Sequence, residues 1–167
     1  MKHRGTIYIL DTTSLILYRV PYRCLCVSCR HILGEVHDPI AKSIIQGFVD
    51  AGQLIIDEPD EAYIKRAREI AEKTGDLTKL SEADIHVVAL AIKYRDMGYN
   101  VNVVTDDFSI QNILRMLGIK YIKYFREIKK VIKWVIKCEK CGKIYPPNYK
   151  GQTCAVCGGR LVRRRKR

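Results

Sequence analysis

Carboxylates and thiols are the side chains whose placement in this chain could do chemistry. Asp11 ends a short apolar run, Thr6-Ile7-Tyr8-Ile9-Leu10, and is followed by three hydroxyl residues, Thr12, Thr13 and Ser14. Asp106 and Asp107 close a second such run, Val101 to Thr105, while Asp84 opens a helical stretch and Glu35 lies near the end of another. Carboxylates gathered at one place cannot all stay ionised without a cation. Hard oxygen ligands favour magnesium or manganese over zinc, and two such ions ~4 Å apart can activate water and stabilise the leaving oxygen of a phosphodiester. A plainer role competes: Asp11 or Thr12 can cap a helix beginning near Ser14, and Ser81 followed three residues later by Asp84 resembles a capping box.

The thiols fall into two sets. Cys138-Glu-Lys-Cys141 and Cys154-Ala-Val-Cys157 are two Cys-x-x-Cys knuckles separated by twelve residues. Four thiolates at that spacing can close a tetrahedral zinc site. Gly142 and Gly158-Gly159 follow each pair, where a tight turn lets backbone N–H groups approach sulfur. A redox role for Cys-x-x-Cys needs a thioredoxin-like strand–helix context, which is absent here. A ribbon of about 30 residues buries too little surface to fold alone, so zinc should supply much of its folding free energy. Cys24, Cys26 and Cys29 fit no familiar zinc knuckle. They read as buried free thiols on a helix, with a metal site completed by a histidine as the alternative.

The formal net charge is +12, unevenly spread. Residues 1 to 122 carry 15 Lys+Arg against 16 Asp+Glu, whereas residues 123 to 167 carry 15 against 2. A near-neutral body joined to a basic module points to a polyanion, chiefly nucleic acid. A membrane-surface module is disfavoured because no basic stretch has a broad apolar helical face. The 47% hydrophobic content is that of a folded protein, and no apolar run nears the roughly 18 residues of a membrane span. With no signal-peptide pattern at the N-terminus, a cytoplasmic protein is expected.

These groups need elements to position them. A first, central strand is expected over the run ending at Asp11, and one short helix from Leu15 to Tyr18 before Pro21. Helices are expected over Val27 to Val36, from Asp38-Pro39 to about Ala51, over Glu61 to Thr74 closed by Gly75, and from Ser81 to about Gly98, the last strongly periodic. Strands are expected over Gln53 to Ile56, Val101 to Thr105 and Ile119 to Tyr124, with a helix over Phe108 to Leu117 stopped by Gly118. This alternation implies an α/β fold with a mainly parallel sheet and helices on both faces, which brings the strands' carboxyl ends to one edge. Around the knuckles, Lys129, Lys130, Lys133, Lys137, Lys140, Lys143 and Lys150 are interleaved with Trp134, Tyr145 and Tyr149, suited to phosphates and unpaired bases, although Trp134 could equally pack between strands. Arg163 to Arg167 reads as a disordered basic arm.

Tyr8-Ile-Leu-Asp11-Thr12, an acid near Glu35, Leu80-Ser81-Glu82-Ala83-Asp84 and Val104-Thr105-Asp106-Asp107-Phe108 together resemble a PIN-domain nuclease. With the zinc-ribbon tail and Asp107-Phe108-Ser109-Ile110-Gln111-Asn112, the chain is similar to the Nin-one-binding endoribonuclease family in its short archaeal form. The resemblance implies a three-layer α/β/α domain over residues 1–123, a linker over 124–132, a zinc ribbon over 133–162 and a basic tail over 163–167. It also implies a metal-dependent endoribonuclease that matures the 3′ end of small-subunit ribosomal RNA, with the small-subunit assembly particle as partner. Asp11, Glu35 and Asp84 match the family's first three acids, and Asp106 or Asp107 the fourth, Asp107 fitting the usual spacing better. Manganese or magnesium would be held by Asp11, Asp84 and Asp107, with Ser81 and Thr105 orienting carboxylates or water. Zinc would be held by Cys138, Cys141, Cys154 and Cys157, and RNA by Lys133, Lys137, Lys140, Lys143 and Lys150.

Overall fold

The computed structural model describes residues 5–17, 24–125 and 130–166. The expectations at Tyr18, Pro21, Lys129 and Arg167 lie outside the described residues. Strand β1, Thr6–Leu10, leads through Asp11 into the one-turn helix α1, Thr12–Ile16. Strand β2, Leu25–Ser28, is followed by helices α2, Arg30–Glu35, and α3, Pro39–Asp50. The latter starts where expected, with Asp38 accepting from the Ala41 amide at 2.7 Å. Strand β3, Leu54–Ile56, helix α4, Glu61–Thr74, a 3-10 turn over Leu77–Lys79 and helix α5, Glu82–Asp96, come next. Strand β4, Asn100–Val104, helix α6, Phe108–Leu117, and strand β5, Lys120–Ile122, complete the first unit.

Its five strands are parallel in the order β3-β2-β1-β4-β5. The strand ending at Asp11 is therefore central. Helices on both faces make the arrangement three-layered, and α5 packs on α2, α4, α6, β1 and β4. Ala83 and every residue from Ile85 to Ile92 are buried, so α5 is enclosed on nearly all sides. Its sequence had read as one apolar stripe, but a central helix has no solvent face to keep polar.

Strand β2 takes the start of the helix expected over Val27 to Val36, of which α2, Arg30–Glu35, is the helical part. Cys26, Val27 and Ser28 are all buried between layers. A parallel strand covered on both faces carries no alternation, so a short run of this kind cannot be told from helix by periodicity. Cys24 and Cys26 consequently lie before and within a strand, and Cys29 at the N-cap position of α2.

In the C-terminal unit, strands β6, Trp134–Cys138, β7, Ile144–Tyr145, and β8, Leu161–Arg165, form an antiparallel sheet in the order β7-β6-β8. Arg163, Arg164 and Arg165, expected in a disordered arm, pair in strand β8 with Ile136, Val135 and Trp134. The expected boundary between residues 162 and 163 thus falls inside a strand. Alternation explains it: Arg163 turns toward the first unit while Arg164 faces outward, so one face of an apparently uniform basic run is structural.

The two units meet through a polar network. Asn112, buried in α6, donates to Asp76 at 2.6 Å and to the Ile132 carbonyl at 2.7 Å, and accepts from the Ile132 amide at 2.6 Å. Arg163 donates to the Gly75 carbonyl and to Asp76, both at 2.7 Å, and its guanidinium lies 4.1 Å over the Trp134 ring. Gly75 closes α4 at φ 77°, and a β-carbon there would come within 2.8 Å of the β-carbons of both Trp134 and Pro147. A side chain at residue 75 would push the ribbon away.

Arg163→Ala should leave the Asp76 carboxylate buried with less charge compensation and destabilise the chain by roughly 3 kcal/mol. Urea unfolding of the two proteins measures this; equal stability would show that the ribbon is held by other contacts.

Candidate active site

Strands β1 and β4 pair from Thr6 with Asn100 to Leu10 with Val104, so Asp11 and Thr105 emerge side by side at the carboxyl edge. Asp11 is only 4% exposed. Its carboxylate accepts from the Ser14 amide at 2.7 Å and lies 2.6 Å from the Ser14 hydroxyl, which is also 2.6 Å from the Val104 carbonyl. Helix cap and buried acid are therefore the same group. Burial raises the Asp11 pKa above the ordinary carboxylate value; Ser14 and Thr105 pull it back, and the charge of Asp106 pushes it further up.

Asp84 is held in a capping box: its carboxylate accepts from the Ser81 amide at 2.8 Å, while its own amide donates to the Ser81 hydroxyl at 3.1 Å. Burial again raises the pKa, the Ser81 hydrogen bonds oppose it, and the charges of Asp107 and Glu35 add to the rise. Glu35, the last residue of α2, accepts from the Thr12 hydroxyl and, at 3.5 Å, from the Ser81 hydroxyl. Asp107 caps α6 by accepting from the amides of Ser109 at 2.7 Å and Ile110 at 2.9 Å, and its own amide donates to Thr105 at 3.1 Å. Asp106 accepts from the amides of Tyr124 and Phe125 at 2.9 and 2.8 Å.

The five acids singled out in the sequence are thus brought to one rim, linked as Asp11 with Asp106, and Asp84 with both Asp107 and Glu35. Asp38 caps α3 through the Ala41 amide. Thr12, read from the sequence as a possible cap, bonds Glu35 instead, and Ser14, noted there only in the run of hydroxyls after Asp11, bonds Asp11. Among the described residues no three of these carboxylates come within 4.8 Å of one another, and their mutual repulsion is what a hard divalent cation keeping part of its water shell would relieve.

In the ribbon the four knuckle sulfurs lie within 4.8 Å of one another. Cys138 and Cys157 are 3.6 Å apart, as are Cys141 and Cys154. These separations match the edge of about 3.8 Å expected for a tetrahedron with Zn–S bonds of ~2.3 Å, and far exceed a disulfide bond. The Tyr145 hydroxyl, 3.1 Å from Cys154, lowers that thiol to about 6. Tyr145 is buried and stacks on Tyr149 with centroids 4.2 Å apart. These rings, expected to be open to bases, instead build the ribbon core, because so small a unit has few other apolar groups to enclose. Trp134 is a contact residue with the first unit. Burial, the first cause in both, raises the Cys26 and Cys29 thiols to about 12 and about 11, which favours the protonated form while no cation is bound.

Lys133, Lys137, Lys140, Lys143 and Lys150 are all exposed. Lys137 borders a groove of about 820 Å³ with Val135, Ile144, Arg164, Arg165 and Lys166. The arginines of β8 were assigned to an arm, so their part in this groove was missed.

Two outcomes follow from these environments. A carboxyl whose pKa is raised by folding favours the native state below its unfolded value of 3.8 and opposes it as pH rises through the native value. Asp84→Asn should therefore raise the melting temperature at pH 7, with the gain vanishing below about pH 4; an equal gain at both pH values would remove the electrostatic explanation. Cys138→Ser should remove one tightly bound metal equivalent and melt the ribbon, read by metal analysis and by loss of Trp134 burial in fluorescence.

The comparisons agree with this geometry. Residues 8–94 match the family described as PIN domain of ribonuclease. An Endoribonuclease Nob1 of Methanothermobacter thermautotrophicus is 32% identical over 95% of this chain and 93% of its own length. The Pyrococcus abyssi Endoribonuclease Nob1 is 34% identical over 81% and 83%, and the Thermoplasma acidophilum Ribonuclease VapC1 is 32% identical over 95% and 78%. With the acid rim on a parallel sheet and the four-thiol ribbon that follows it in the chain, the protein belongs to the PIN-domain ribonucleases and, among them, to the archaeal Nob1 endoribonuclease family.

Proposed function

We propose that this endoribonuclease cuts precursor small-subunit ribosomal RNA at its 3′ end, on the assembly particle in the cytoplasm, using manganese or magnesium at the acid rim and structural zinc in the ribbon. The observation that carries the reading is the convergence of five acids from four parts of the fold on the carboxyl edge of β1 and β4, beside a ribbon whose outer face is basic. When bound, a divalent ion would supply the positive charge that lets the carboxylates ionise together and would polarise the phosphodiester. Asp11, Asp84 and Asp107 would hold it, with Glu35 and Asp106 completing the acid set.

The chain's own residues do the positioning. Ser14 and Thr105 fix Asp11, and Ser81 accepts from the Asp84 amide while its hydroxyl can donate to Glu35. No side-chain nucleophile is required, which suits a site of acids and hydroxyls. Lys133, Lys137, Lys140, Lys143 and Lys150 would draw the phosphate backbone toward a rim that would otherwise repel it. Four thiols at tetrahedral spacing suit zinc, and the ion would tie together a unit with a very small apolar core.

A second reading has one observation in its favour: Asp11, Asp84 and Asp107 all cap helices, so they could serve structure alone in a noncatalytic RNA-binding factor. Cleavage of labelled RNA with manganese separates the two, and matched DNA tests substrate choice. Asp11→Asn and Asp84→Asn should each slow cleavage by on the order of 10²-fold or more while RNA affinity stays nearly constant. Full activity in both variants would leave only the capping role. In Lys137→Ala/Arg164→Ala the slope of log affinity against log salt should shrink by about 1.4, two phosphate contacts at ~0.7 each for a single strand. An unchanged slope would move the RNA off the ribbon groove.

A further inference from the structure

A second group of ligand atoms stands along the same carboxyl edge, one strand away from Asp11. Cys29 directly follows β2 and is fully buried, His31 lies in the first turn of α2 and is exposed, and His86 is buried in α5. One ligand atom from each lies within 4.8 Å of the others. The two imidazoles are in contact, with centroids 3.9 Å apart and planes tilted by 46°. Each ring can donate a nitrogen lone pair to one shared cation. Cys29 occupies the N-cap position of α2, where the backbone amides of His31 and Ile32 face its sulfur and favour the thiolate a cation needs.

Glu58, just beyond β3, completes the arrangement. One of its oxygens accepts from the Arg30 amide at 2.8 Å, and the other lies 3.3 Å from Nδ1 of His86. A carboxylate on Nδ1 fixes the tautomer in which Nε2 keeps its lone pair, as the outer partners of metal-ligating histidines do. From this geometry we propose that Cys29, His31 and His86 form a second transition-metal site of the zinc class, oriented by Glu58 and distinct from the four-thiol ribbon. One thiolate with two imidazoles is a borderline-soft set that suits zinc and discriminates against magnesium and manganese. Three protein ligands leave the fourth position to water, on the side where His31 is exposed. Cys24 and Cys26 take no part: Cys26 lies within β2 with its thiol directed at the Cys24 carbonyl, 3.7 Å away. An ion here would join α2 to α5. Those helices carry Glu35, four residues after His31, and Asp84, two residues before His86. It would thus brace the helices that carry two of the rim acids, and the site stands whether or not those acids are catalytic.

The test uses the full chain dialysed against zinc with magnesium in excess, so that hard-ligand positions are taken, followed by metal analysis and thermal melting. The wild type should hold two zinc equivalents. His31→Ala, an exposed change that leaves the core intact, should hold one, and the melting temperature should no longer rise with the second equivalent. Cys138→Ser should lose the ribbon equivalent and keep the other. Glu58→Gln should bind the second zinc about 10–100-fold more weakly. A single equivalent in the wild type, or two tightly held equivalents in His31→Ala, overturns the assignment.

Discussion

Because β1 and β4 run parallel and stay in register to Leu10 and Val104, their carboxyl ends finish level, and Asp11 is set beside Thr105 and the acids that follow it. Everything proposed for the site depends on that pairing. It places charge where burial raises the cost of charge, and neighbouring acids add to the cost for Asp11 and Asp84. A fold selected for stability alone would not gather acids this way. The rim is tolerable because Asp11, Asp84, Asp106 and Asp107 each accept from backbone amides, whose dipoles offset part of the repulsion, while Glu35 accepts from the Thr12 and Ser81 hydroxyls. This double use explains why capping and catalysis were hard to separate: at Asp11, Asp84 and Asp107 the same oxygens serve as cap and as rim.

Between the two units the connection is polar. Asp76, Asn112, Arg163 and the Ile132 backbone bond one another in a cluster that leaves only Arg163 Nε among its members buried without a partner, with Trp134 covering the guanidinium and Gly75 permitting the approach. Such a network sets orientation more than it adds stability, since every member must be placed before any is satisfied. Arg163 and Arg164 divide the labour of β8: one anchors the ribbon to the body, the other faces solvent beside Lys137. The strand's two-residue period turns a run of like charges into two surfaces with different roles.

The acids, their order, the four knuckle cysteines and most helices were legible from the sequence, for identifiable local reasons. Asp38-Pro39, Gly75, the Ser81 to Asp84 box and Gly118 mark helix ends by backbone chemistry that acts within four residues. The zinc knuckles are equally local, because a turn of two residues between thiols is itself the geometry. The concentration of positive charge in the last 45 residues is arithmetic, independent of fold.

What only the tertiary structure decided depended on contacts between distant residues. Strand β2 was hidden because burial on both faces erases the alternation that marks a strand, and its identity comes from pairing with β1 and β3. The burial of α5 on nearly every side, the structural use of Arg163, Tyr145 and Trp134, and the gathering of Cys29, His31 and His86 follow the same rule. His31 and His86 are separated by 55 positions in the chain and in contact in space. Sequence by itself determined which groups the protein possesses and where its helices begin and end, since those are short-range matters of hydrogen bonding and φ. Which groups face one another, and so which can share a cation, was decided by sheet order and crossover geometry, which no local pattern encodes.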